Sequence, residues 1–194
     1  LSNRTVQVTA DAILDELGIT ADMLLSRGLQ RWPDATRLEV AETGEDGREH
    51  RLQPQAARAW RRMKSAAMLD GERLHIVSGF RSADRQAQII RRKLQSGLSI
   101  EQILTVSAPP GYSEHHTGRA VDLSTPGAPP LELEFETTSA FRWLCGNAAR
   151  FGFSLSYPAG NPHGYGYEPW HWCYREADET SRGRAEELDR QTKT

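Results

Sequence analysis

Apolar residues recur at three-to-four spacing along several stretches and alternate along only a few short ones, which predicts helices packed on a small sheet. Two short helices come first: Asp11 to Leu17 stops at Gly18, and Thr20 caps Ala21 to Arg27 ahead of Gly28. Arg37–Glu42 and Arg48–Leu52 flank Gly44-Glu45-Asp46-Gly47 and predict a hairpin with a loop of about four residues. Pro54 suits the first turn of a helix that runs to Leu69 and ends at Gly71. That helix turns Ala57, Trp60, Met63 or Lys64, and Ala67 or Met68 to one side, which is read as core. Leu74–Ser78 reads as a buried strand ending in Gly79-Phe80-Arg81-Ser82. A long helix from Ala83 to Gln95 follows, closed by Gly97, and Ser99 caps a further short one.

The second half is more irregular. Pro109-Pro110-Gly111 forces a loop, and Arg119–Leu123 reads as a short strand, so His115 falls on the loop and Asp122 within the strand. Segment 124–137, rich in Pro, Gly and Glu, reads as a surface connection. Thr138 or Ser139 caps a helix through Arg150, with Phe141, Leu144, Cys145 and Ala148 on one face. Phe153–Ser156 and Trp170–Tyr174 are the remaining strands, separated by a loop punctuated by Pro and Gly. From Glu176 the chain is polar and is expected to be mobile or loosely docked. The class is α+β, with helices on a small, mostly antiparallel sheet. The expected organisation is an N-terminal helical segment over 1–34, a main domain over 35–176 and a polar tail over 177–194.

Composition narrows the function. A chain of 194 residues with 38% hydrophobic and 26% charged content is that of an ordinary globular domain. A net charge of −2 gives no general footprint for nucleic acid. Local clusters at Arg58/Arg61/Arg62 and Arg91/Arg92/Lys93 read as solvated helix faces. No apolar run approaches membrane-spanning length. The start at Leu1, without a signal-peptide pattern, is read as that of a processed or trimmed product and leaves the compartment open. Cys145 and Cys173 do not make a disulfide framework; a single bridge stays open, against the usual fate of isolated cysteines as small buried hydrophobes.

The chemistry lies in Ser113-Glu114-His115-His116-Thr117-Gly118-Arg119-Ala120-Val121-Asp122 and in Glu168-Pro169-Trp170-His171. His115, Asp122 and His171 supply two imidazoles and a carboxylate, a set that suits Zn2+ with a fourth position left for water. Three protein ligands mark a catalytic site; a structural zinc is normally closed by four. Glu168, three residues before His171, is a candidate to take a proton from that water and deliver it to a leaving amine. Arg81, at a strand end, either holds a substrate carboxylate or carbonyl and steadies the oxyanion, or forms an ordinary ion pair. His116 is read as support for the neighbouring ligand, His50 and His75 as structural, and His163 as an exposed loop histidine.

These motifs, with Ser78-Gly79-Phe80-Arg81-Ser82, Gln86, Trp143-Leu144, Asn147-Ala148, Phe151-Gly152 and Ser156-Tyr157-Pro158, resemble those of the VanY-type zinc D-Ala-D-Ala carboxypeptidases. That family has relatives among L,D-carboxypeptidases and phage endolysin peptidases, and the likeness covers roughly 54–175. It implies the hedgehog and D-Ala-D-Ala-peptidase type of fold, with His115, Asp122 and His171 on zinc and Glu168 as general base. It also implies Arg81 at the reacting carbonyl, Ser113 and Gln86 near the peptide, and action on peptidoglycan stem peptides in the cell envelope or periplasm. Two positions depart from the pattern: Cys173 stands where Arg is usual, and His116 where Gln is frequent. Cys173 shares a strand face with His171 and is expected behind the metal site. Neither departure removes a ligand or the base. The reading is a carboxypeptidase for a C-terminal D-Ala, D,D before L,D. Endopeptidase action and a non-catalytic zinc-containing binding module, as in hedgehog-type domains, are the alternatives.

Overall fold

The computed structural model describes residues 10–176. The expected tail from 177 lies outside them. Helices α1 (Ala10–Glu16) and α2 (Ala21–Leu25) are followed by strands β1 (Glu39–Thr43) and β2 (Glu49–Leu52), then α3 (Pro54–Leu69) and β3 (His75–Ser78). Next come α4 (Ala83–Gln95), α5 (Ile100–Leu104), β4 (Ala120–Ser124), α6 (Ser139–Asn147), β5 (Phe153–Leu155) and β6 (His171–Tyr174). The hairpin β1–β2 stands as its own pair, and the main sheet runs β3-β4-β6-β5, antiparallel throughout. This is the expected α+β arrangement.

Local chemistry explains most boundaries. Pro54 opens α3, where its missing N–H costs nothing. Ser82 Oγ accepts from Arg85 N at the start of α4, and Ser99 with Gln102 forms a reciprocal capping box on α5. The main core lies between α3, α6 and the sheet, around Trp60, Met63, Leu123, Leu144 and Phe153. Trp60 is fully buried and its Nε1 donates to Glu42 Oε2 at 3.0 Å, so its one polar atom is satisfied.

A second cluster joins Ile13, Leu14, Leu17 and Ile19 to Ala87, Ile90, Ile103 and Leu104. Helices as short as α1 and α2 are not stable alone. The first is held by this burial and by Arg91 of α4, whose guanidinium meets Glu16 at 2.7–2.8 Å.

Two expectations need correction. Segment 124–137 is more than a surface connection: Leu133–Thr137 forms a 3₁₀ turn that drives Phe135 into the core. In α6 the buried positions are Ala140, Phe141 and Leu144, and Ala148 follows in the next turn; Cys145 points outwards because the helix packs on one side only. Cys173 is buried, and both thiols are free. Among the described residues no helix is long and apolar enough to cross a membrane.

Candidate functional site

Strands β4 and β6 set two of the three candidate ligands. Asp122 and His171 are register partners, so their side chains leave one face of the sheet side by side. The third, His115, sits on the 3₁₀ turn Glu114–Thr117, which precedes β4. Ser113 Oγ accepts from His115 N at the start of that turn, and Gly118 ends it at φ 64°. A side chain at Gly118 would meet Leu38 Cδ2 at 2.8 Å and Gln53 N at 3.0 Å as well as an unfavourable backbone, so only glycine fits.

The three side chains converge. His115 Nε2 lies 3.1 Å from Asp122 Oδ2, and His171 Nδ1 lies 3.0 Å from Asp122 Oδ1. All three are buried, with ligand atoms within 4.8 Å of one another. A tetrahedral zinc with bonds of about 2.0–2.1 Å needs ligand atoms about 3.3 Å apart, close to these spacings. The outward atoms are also committed. His115 Nδ1–H donates to the Gly79 carbonyl at 2.7 Å, which turns the Nε2 lone pair inwards. His171 Nε2–H donates to Glu114 Oε2 at 3.1 Å. The residues present therefore fit a zinc ion.

Electrostatics agree with this geometry. Burial alone would raise Asp122, but His115 and His171 override it and hold the carboxyl well below its usual range. Burial lowers His115, against the opposing pull of the Asp122 charge. At His171 burial is outweighed by the hydrogen bonds to Asp122 and Glu114, which raise the imidazole to about 10, so a metal bound there would have to displace the Nδ1 proton.

Glu114 was not among the expected site residues. Its Oε2 accepts from Ser156 Oγ at 2.6 Å as well as from His171, and its Oε1 receives Arg175 Nη2 at 3.2 Å. Despite burial, these donors hold its carboxyl at about 2, so it is an anion wherever the protein is folded near neutrality. The signal was present in the sequence, as a carboxylate directly before a ligand. Cys173 packs behind this group as a neutral thiol, its ionisation opposed by burial and by the Glu114 charge.

Glu168 hangs from the loop before β6. Its N–H donates to the Tyr157 carbonyl, and its own carbonyl accepts from His171 N, both at 3.1 Å. Its Oε2 stands 3.9 Å from His171 Nδ1. Burial, reinforced by the Asp122 charge, raises its carboxyl to about 7. Arg81 reaches in from the end of β3. Its Nη1 donates to Gln86 Oε1 and its Nη2 to Ser78 Oγ, both at 2.9 Å, and Nη2 lies 3.6 Å from Asp122 Oδ2.

Gln86, expected near the peptide, is buried behind Arg81 and anchored by its Nε2–H to the Ala108 carbonyl at 2.7 Å. Ser113 lines the cavity. His116 is fully buried and supports the site from behind: its Nδ1–H donates to the Arg81 carbonyl at 2.6 Å, and its Nε2 accepts from Gly111 N at 3.0 Å. His163 is half-buried, not exposed, with its ring 3.2 Å from the Arg27 carbonyl.

The ligands, Glu168 and Arg81 open into a cavity of about 500 Å³. A larger groove of about 680 Å³ lies elsewhere, lined by Arg58, Arg61, Arg62, Arg150 and Arg175. Size does not decide between them. The larger groove has one carboxylate, Glu176, among its arginines, whereas the smaller cavity holds the convergent His115, Asp122 and His171 together with Glu168, which makes it the candidate site.

A protein-family model described as "VanY: D-alanyl-D-alanine carboxypeptidase" matches residues 49–177. The chain belongs to the VanY family. Within and around that family, YodJ of Bacillus subtilis (strain 168) is 36% identical over 126 residues, which are 63% of this chain and 46% of YodJ. The chain thus spans about half the length of that curated relative. The LD-carboxypeptidase LdcB is similar in structure, with a TM-score of 0.60 and 33% identity over 73% of this chain and 65% of LdcB. A variant of the vancomycin-resistance D,D-pentapeptidase VanY, solved in complex with Zn(II), gives a TM-score of 0.55 and 29% identity. That match covers 77% of this chain and 87% of the other.

Proposed function

We propose that this VanY-family chain is a zinc carboxypeptidase that releases a C-terminal D-Ala from peptidoglycan stem peptides in the cell envelope. The observation that carries the reading is Glu168, a largely buried carboxylate in the same cavity as three convergent ligands and Arg81. His115 Nε2, an Asp122 oxygen and His171 Nδ1 would hold the metal. Zinc bound there supplies Lewis acidity towards a carbonyl oxygen and towards water. Glu168 takes the proton of the attacking water on its carboxylate and returns it to the amine that leaves. A carboxyl near 7 is matched to accepting and then giving up a proton at neutral pH. Arg81, held by Ser78 and Gln86, presents its guanidinium to the carbonyl oxygen as negative charge develops there.

D,D release is the first reading. The likeness to LdcB supports L,D release as the second. A pure binding module has no use for a base beside the candidate metal position, which disfavours that alternative. The test is reconstitution: chelated protein releases no D-Ala, and one equivalent of zinc restores release. Equal activity with and without chelator would overturn the metal-dependent reading.

The Glu114–His171 contact makes a separate prediction. Glu114→Gln keeps the shape but removes the charge that orients His171, and will weaken zinc binding by about 10–100-fold. Competition against a chromophoric chelator measures it; an unchanged affinity would remove Glu114 from the metal's support.

A further inference from the structure

The basic run Arg91-Arg92-Lys93 does not behave as one solvated face. Arg91 turns to Glu16, Arg92 is exposed, and Lys93 enters the wall of the catalytic cavity beside Arg81, Ser107, Ala108 and Glu168. Lys93 is half-buried, and its Nζ donates to Ser107 Oγ at 2.7 Å. Among the described residues it has no carboxylate within ion-pair distance; the nearby acid, Glu168, acts on it only at longer range. Burial and the Arg81 charge both disfavour the ammonium, and the Glu168 charge offsets them only in part, so Lys93 lines the cavity with a neutral hydroxyl as its one direct partner. Such a group is costly unless an anion arrives to meet it.

We infer that Lys93, with Ser107, binds the free α-carboxylate of the residue to be released and thereby makes the site an exopeptidase. The inference rests on the carboxypeptidase reading and supplies what that reading lacks, a group that recognises the end of a chain. An internal peptide bond presents a neutral amide at this position and leaves the ammonium unmet. A cross-linked or otherwise extended peptide is therefore discriminated against electrostatically as well as by size. Because Lys93 contacts the substrate's end and not the reacting carbonyl, its loss falls on KM more than on kcat.

The experiment compares two stem peptides of one sequence, ending in D-Ala as the free carboxylate or as the carboxamide. Zinc-loaded native protein, Lys93→Met and Lys93→Arg are assayed on both. The native protein should prefer the carboxylate by about 100-fold in kcat/KM, the size expected for a partly desolvated charge pair. Lys93→Met should bring that ratio close to one, chiefly through a higher KM, and Lys93→Arg should restore part of it. The ratio does not depend on how much of a variant is folded. A Lys93→Met protein that keeps the native ratio would overturn the role of Lys93 alone. Failure of the native protein to cleave either peptide would instead sink the carboxypeptidase reading on which that role depends.

Discussion

Glu168→Gln will bind zinc and yet turn over peptide about a thousandfold more slowly, within the range that general acid–base groups contribute. The substitution keeps the side chain's volume and one oxygen, so the cavity beside His171 is preserved. Glutamine cannot accept the proton, and the path from water to leaving amine is cut. The effect therefore falls on kcat, with KM changed little. Metal analysis of the purified variant alongside steady-state kinetics checks both halves. Retention of more than about a tenth of native kcat would assign the base elsewhere.

Arg81 carries the second large effect. Three fixed partners hold its guanidinium: Ser78 Oγ, Gln86 Oε1 and, at 3.6 Å, Asp122 Oδ2. Its backbone is pinned as well, by His116 at the carbonyl and by the Arg81 N–H to the His115 carbonyl at 3.2 Å. A cation so fixed reorganises little when charge develops beside it, which is the condition for strong electrostatic stabilisation. Arg81→Ala will lower kcat by about 100–1,000-fold. It also leaves Gln86 Oε1 buried without its donor, at a cost of about 1–3 kcal/mol in stability. Arg81→Lys keeps the charge but loses the fork that meets Ser78 and Gln86 together, and will recover only part of the rate. Denaturation of each variant separates the two losses. A kcat for Arg81→Ala within a fewfold of native would make Arg81 structural.

The elements of the fold were legible because their punctuation is local. Pro54, Ser82, Ser99 and the glycines at 18, 71 and 97 mark boundaries that depend only on neighbouring residues. The candidate metal set was legible too, since two imidazoles and a carboxylate announce their chemistry in any fold, and the structure brings His115, Asp122 and His171 together. What remained hidden depended on distant contacts. Glu114 gained its role only when β6 brought His171 to it across the sheet. The hold of Gln86 on Arg81 was equally hidden, because it depends on how α4 packs against the end of β3. Lys93 was hidden in a run of three basic residues. Successive helical side chains diverge by about 100°, so such a run need not share one environment. Phe135 was masked by the polar, Pro-rich sequence around it, and only tertiary packing turned that segment inwards.

The most direct test of the central claim is mass spectrometry of the products that zinc-loaded protein forms from three peptides: a stem ending in D-Ala-D-Ala, one ending in a single D-Ala, and a cross-linked dimer. Loss of one terminal D-Ala from a free-ended stem is expected, with the favoured peptide deciding between D,D and L,D release. The dimer's cross-link should stay intact. Cleavage confined to the cross-link, or no cleavage with zinc bound stoichiometrically, would contradict the central claim.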